Sequence, residues 1–161
     1  MAEITLEEQL VSLLMKKNMR ICCAESCTGG MVAAAIVNVP NASSVLDMSF
    51  ITYANEAKVS LLGVDPAAIE KFGVVSETVA GQMAAGAAAR AHAQVGVATS
   101  GIAGPTGGTD TKPVGMVCFG FWINGTLTTS VMQFGDLGRN EVRRKSTEYA
   151  LRTLCRLLQA N

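Results

Sequence analysis

Three short apolar segments decide what this chain can fold into. Residues 20–24, 48–54 and 96–100 each run into a polar or glycine-rich turn, and stretches with helical signals separate them. Strands joined through helices pair in parallel, because a parallel pair needs a crossover of a dozen or more residues. Two further apolar runs, 114–123 and 126–134, flank Asn124-Gly125. An Asn-Gly pair between apolar runs is the strongest short hairpin signal, since both central residues of a type I′ turn need positive φ. The pattern predicts one mixed, mostly parallel five-stranded sheet with helices on both faces: a three-layer α/β/α sandwich.

The helices are read from caps and spacing. Thr5 and Glu8 form a candidate capping box, and Leu6, Leu10, Leu13 and Leu14 recur at helical spacing, which predicts a helix over 5–17. A helix is expected through 31–38, ended by Pro40, and a short one near Asn55 that includes Lys58. Ser76 is a candidate N-cap for an alanine-rich helix reaching about residue 91. The last helix is expected over 139–158, with Val142, Tyr149, Leu154 and Leu157 facing inward. Alanine and glycine number 22 and 16 of 161 residues, whereas aromatics are 5%, so the core must close on small side chains with backbones in close approach. No repeat, linker or charge block interrupts the chain, and one domain over 1–161 is expected.

Charge and composition exclude several function classes. Thirteen basic residues balance thirteen acidic ones, which argues against a general nucleic-acid or anionic-membrane partner. No apolar run reaches the ~20 residues of a membrane span. The first residues carry Glu3, Glu7 and Glu8 and lack the basic start of a secretory signal. A cytoplasmic protein is expected. Five cysteines without paired C-x-x-C motifs fit reduced thiols better than a disulfide framework or a zinc site, so neither metal nor cofactor is expected. The one histidine, His92, closes the alanine-rich helix with no Ser, Cys or carboxylate cluster beside it in sequence, and a structural role is expected.

Four segments hold residues suited to chemistry. Ser26 lies where a strand runs into a helix, and the N–H groups of Thr28, Gly29 and Gly30 there could hold an anion or oxyanion; a plain helix cap explains the same residues. Cys27 is a rival nucleophile. Tyr53 and Lys58 follow the second strand, where both could face one cleft. A lysine can serve a serine nucleophile as base if burial lowers its pKa, although most lysines are solvated. Ser100 and Gly101 open a glycine-rich loop that matches neither a Walker loop nor a dinucleotide fingerprint. Arg139, Arg143 and Arg144 open the last helix, where arginines could pair with a phosphate or carboxylate or simply be solvated.

Five motifs occur in order: Ala24-Glu25-Ser26-Cys27-Thr28-Gly29-Gly30, Thr52-Tyr53-Ala54-Asn55-Glu56-Ala57-Lys58, Gly73-Val74-Val75-Ser76-Glu77, Ser100-Gly101-Ile102-Ala103-Gly104-Pro105 and Lys112-Pro113-Val114-Gly115. Together they make the whole chain resemble the CinA C-terminal domain family, in its stand-alone form. The resemblance implies an anticodon-binding-domain-like α/β/α sandwich. It also implies a metal-independent serine amidohydrolase that converts nicotinamide mononucleotide to nicotinate mononucleotide and ammonia. On that likeness Ser26 is the nucleophile, Lys58 the base, and Tyr53 assists proton transfer or orients Lys58. Thr28, Gly29, Gly30, Ser100, Gly101, Arg139 and Arg143 are expected to contact substrate. The family's Gly-Asp-Arg is replaced here by Gly135-Asp136-Leu137-Gly138-Arg139, a register change that favours Arg143 over Arg139 as the phosphate contact. A homo-oligomer, preferably a dimer, is expected. The alternative is an inactive nucleotide-binding or regulatory homologue of the same fold.

Overall fold

The computed structural model describes residues 2–161. The elements follow in the order α1 (Leu6–Lys16), β1 (Ile21–Glu25), α2 (Met31–Val37), a 3-10 turn (Ala42–Ser44), β2 (Phe50–Ile51), α3 (Asn55–Leu62), α4 (Pro66–Phe72), α5 (Glu77–Ala91), β3 (Val95–Gly101), β4 (Met116–Ile123), β5 (Thr126–Gln133) and α6 (Arg139–Ala160). The five strands form one sheet in the order β2-β1-β3-β4-β5. β1 pairs in parallel with β2 and β3, and the hairpin adds antiparallel β3–β4 and β4–β5 pairs, so β4 alone runs against the other four. This is the expected mixed sheet.

Alternation along the strands sends side chains to two cores. Ile21, Cys23, Val95, Val97, Phe119 and Phe121 pack under α1, α2 and α6. Cys22, Ala24 and Ala98 pack under α3, α4 and α5. The second layer is where alanine and glycine matter. A Cβ on Gly96 would lie 2.1 Å from the Ala84 carbonyl oxygen, and one on Gly120 would lie 2.3 Å from that of Ala80. The backbone of α5 therefore rests directly on β3 and β4.

Thr5 and Glu8 make the expected capping box, Ser76 caps α5, and Asn124 (φ 46°) with Gly125 (φ 89°) closes the hairpin. Two elements depart from the expectation. Helix α4 is not anticipated by the periodicity, because it is only seven residues long, yet Asp65 caps it by accepting from the Ala67 N–H at 2.9 Å and Pro66 starts it. The strand expected over 48–54 shrinks to Phe50–Ile51, with one further bond from the Thr52 N–H to the Glu25 carbonyl at 2.9 Å. The carbonyls beyond it turn toward Lys58 instead of a neighbouring strand.

Candidate active site

The carboxyl ends of β1 and β3 and the segment after β2 meet at one edge of the sheet, the place where open α/β sheets bind ligands. Ser26 is the first residue past β1, and its N–H still donates to the Thr99 carbonyl at 3.1 Å. The chain then reverses through Gly29 (φ 59°) and Gly30 (φ 105°) into α2. Beneath this turn Glu25 is 1% exposed. One of its carboxylate oxygens accepts the Thr28 hydroxyl at 2.6 Å and the Val32 N–H at 2.9 Å, and the other accepts the Ala33 N–H at 3.0 Å. A buried carboxylate thus occupies the positive end of α2 and locks the turn that presents Ser26.

Lys58, on α3, is 1% exposed. Its Nζ lies 2.7 Å from the Thr52 carbonyl oxygen, 3.3 Å from that of Tyr53 and 3.2 Å from Ser26 Oγ. Among the described residues it makes no ion pair. Burial lowers its pKa from 10.5, because desolvation penalises the charged form. The Cys27 thiol itself is pushed up to about 11, also by burial, which leaves it protonated near neutral pH.

Above this pair opens a cleft of about 450 Å³, whose lining includes Ser26, Cys27, Lys58, Ser100, Tyr53 and Arg139. Ser100 is buried and its hydroxyl donates to the Val74 carbonyl at 2.7 Å, tying one wall to β3. Gly101 also lines the cleft; a Cβ there would meet Val117 Cγ2 at 2.6 Å, so glycine lets the end of β3 keep against β4. Arg139 donates to the Gly104 carbonyl and to the Tyr53 phenol oxygen, both at 2.8 Å, and so ties the glycine-rich loop to the segment after β2.

The structure brings Ser26, Lys58, Tyr53, Ser100, Gly101 and Arg139 to one cleft. It places the others elsewhere. Thr28, Gly29 and Gly30 build the turn and do not line the cavity; the Gly29 N–H is taken by the Ser26 carbonyl at 3.1 Å. Arg143 does not line it either: its guanidinium donates to the carbonyls of Cys27 at 2.9 Å and Thr28 at 3.2 Å and to Asn140 at 3.0 Å, bracing the turn from behind. Of the two arginines weighed as phosphate contacts, Arg139 is the one that reaches the cleft. The Tyr53 phenol is turned to Arg139, and only its backbone carbonyl meets Lys58. Arg144 is paired with Glu141 and Glu148 on the outer face of α6. His92 ends α5 in a left-handed conformation (φ 51°) and is not among the cleft residues. Glu25 and Lys112 were not singled out as site residues from sequence, although both sit inside quoted motifs. Among the described residues no three His, Cys, Asp or Glu side chains converge as a metal site, and no helix is long and apolar enough to cross a membrane.

Comparison with known proteins agrees with this fold. The model of the CinA C-terminal domain matches residues 3–158. A putative competence-damage inducible protein of Alkaliphilus oremlandii is 45% identical over 154 residues, covering 96% of this chain and 37% of that protein. A CinA-like protein of Kosmotoga olearia is 48% identical over 149 residues, 92% of this chain and 36% of that one. The chain therefore spans little more than a third of the length of these relatives. Solved structures match over nearly their full length. The competence/damage inducible protein CihA of Agrobacterium tumefaciens superposes with a TM-score of 0.91 at 39% identity, covering 98% of this chain and 99% of that one. A CinA superfamily protein of Klebsiella pneumoniae gives a TM-score of 0.93 at 31% identity, with 97% of each chain covered. The protein belongs to the CinA C-terminal domain family.

Proposed function

We propose that this chain is a single amidohydrolase domain that hydrolyses the carboxamide of nicotinamide mononucleotide, a serine amidase that needs no cofactor and works in the cytoplasm on a pyridine nucleotide. The contact between a buried Lys58 and Ser26 Oγ in the lining of the cleft carries this reading. In the neutral amine the two N–H bonds go to the carbonyls of Thr52 and Tyr53, which leaves the nitrogen lone pair for the serine proton.

Lys58 takes the Ser26 proton as Oγ attacks the carboxamide carbon. A backbone N–H at the cleft wall, of Cys27 or of Gly101, stabilises the developing oxyanion, contributing about 3–4 kcal/mol. The lysine proton passes to the departing nitrogen, the C–N bond breaks, and ammonia leaves an ester on Ser26. Water, deprotonated by Lys58, then releases the acid and restores the hydroxyl. Arg139 holds Tyr53 and the loop at Gly104 around the substrate.

The test is incubation of the purified chain with nicotinamide mononucleotide, followed by mass spectrometry for the amide-to-acid change and an ammonia assay, with Ser26→Ala as control. Binding without conversion identifies an inactive homologue. The dimer belongs to the same reading. It rests on β5, an eight-residue edge strand without a charged side chain, whose unpaired edge suits a second copy. Sedimentation of Val131→Lys beside the unaltered chain tests it.

A further inference from the structure

Among the described residues the cleft lining contains three basic side chains, Lys58, Arg139 and Lys112, and no carboxylate. Two of the three already hold the walls of the site together. Lys58 meets Ser26 and two carbonyls, and Arg139 uses one N–H of each terminal nitrogen to bridge Gly104 and Tyr53. Lys112 has a single partner, the carbonyl of Phe72 at the end of α4, which leaves two N–H bonds of its ammonium for something else. Among the described residues it makes no ion pair.

Local structure presents this ammonium. The Lys112 N–H donates to Thr109 Oγ1 at 3.0 Å and the Thr109 N–H donates to the Lys112 carbonyl at 2.8 Å, so the turn that carries it is closed from both ends. Across from it Gly73 has φ +79°, and a Cβ there would lie 2.7 Å from Lys112 Nζ. A side chain at position 73 would push the ammonium from its place, and glycine keeps the place open.

We propose that Lys112 is the residue that recognises the anionic end of the substrate: with the carboxamide at Ser26, the ammonium of Lys112 receives the 5′-phosphate and selects the nucleotide over the unphosphorylated nucleoside. This rests on the amidase reading, and it moves the phosphate contact from α6 to the loop between β3 and β4. Gly73 and Thr109 act through Lys112 as positioning residues.

The experiment has a kinetic arm and a binding arm. kcat and KM are measured for nicotinamide mononucleotide and nicotinamide riboside with the unaltered chain, Lys112→Gln and Lys112→Arg. Lys112→Gln should raise KM for the mononucleotide roughly tenfold or more, as expected for a lost charge-assisted bond, without a comparable rise for the riboside. Lys112→Arg should recover part of the difference. Equal changes for both substrates, or none, overturn the proposal. In the binding arm, calorimetry with ribose 5-phosphate should give heat with the unaltered chain and lose it in Lys112→Gln. If the unaltered chain converts neither substrate, the amidase reading fails, and this arm still decides whether Lys112 holds a phosphate. Circular dichroism of both variants shows that each is folded.

Discussion

Lys58 Nζ lies 3.2 Å from Ser26 Oγ, although the two residues come from different strand-to-helix junctions 32 positions apart. The nitrogen is also held from behind by two carbonyls, so its approach to the hydroxyl is fixed by backbone geometry. Removing either member should stop the reaction. Ser26→Ala and Lys58→Met should each lower kcat by roughly 10³-fold or more, since nucleophile and base act as a unit. An ammonia assay reads this. Near-unaltered turnover in either variant would refute the dyad.

The reaction should show an acid limb set by Lys58. The active form is neutral, and burial lowers the pKa of this amine from 10.5. The rate should therefore climb as pH rises through the lowered pKa and level off above it. Stability carries the same sign. Between the lowered pKa and 10.5 the unfolded chain binds more protons than the folded one, so Lys58 makes folding more favourable as pH rises across that window. Below the lowered pKa the cost of burying the charge is fully present. A pH profile of kcat, beside melting curves of the unaltered chain and Lys58→Met, checks both limbs.

The thiol beside Ser26 should be dispensable. Burial pushes Cys27 up to about 11, which leaves little thiolate at neutral pH. Cys27→Ser should keep turnover within the same order of magnitude. A loss as deep as that of Ser26→Ala would point to the thiol as the attacking group.

Glu25 should matter to the site without reaching it. Its two oxygens accept a hydroxyl and two backbone N–H groups, and Glu25→Gln turns one acceptor into a donor facing an N–H. A mismatched buried pair of this kind costs about 1–3 kcal/mol. Chemical denaturation should show that loss. Turnover should fall with it, because the turn holding Ser26 is anchored there.

Gly120 should tolerate nothing larger. A Cβ would sit 2.3 Å from the Ala80 carbonyl oxygen, a contact that only a shift of α5 relieves. Gly120→Ala should lower stability by about 1–3 kcal/mol, the range for an overfilled core, and a denaturant midpoint measures it.

The parts legible in the sequence are those written in local signals. The Thr5 capping box, the Ser76 cap, the Asn124-Gly125 hairpin and the need for small side chains under α5 each follow from residue chemistry within a few positions. Ser26 and Lys58 stand out as candidates because each follows a strand end, while their roles as nucleophile and base are implied only by the family resemblance. The rest depended on contacts far apart in sequence. Arg143 looked free beside the open end of a helix, but it serves two carbonyls 116 and 115 positions away. Lys112 gives no local sign, since the place of its ammonium is set by Gly73 and Phe72 on another segment. Tyr53 was placed at the right edge, yet its ring follows Arg139 and not its neighbour Lys58.

The shortness of β2 has its own consequence. After the Thr52 N–H makes its bond to Glu25 the chain gives up strand pairing, and the carbonyls of Thr52 and Tyr53 become the sockets of the lysine. These groups belong to the main chain, so every amino acid at positions 52 and 53 supplies them, and side-chain scanning is blind to them. Replacing the amide that follows either residue with an ester would weaken that carbonyl as an acceptor while leaving every side chain in place. Such backbone surgery is the direct way to measure how far the sheet edge itself tunes the amine.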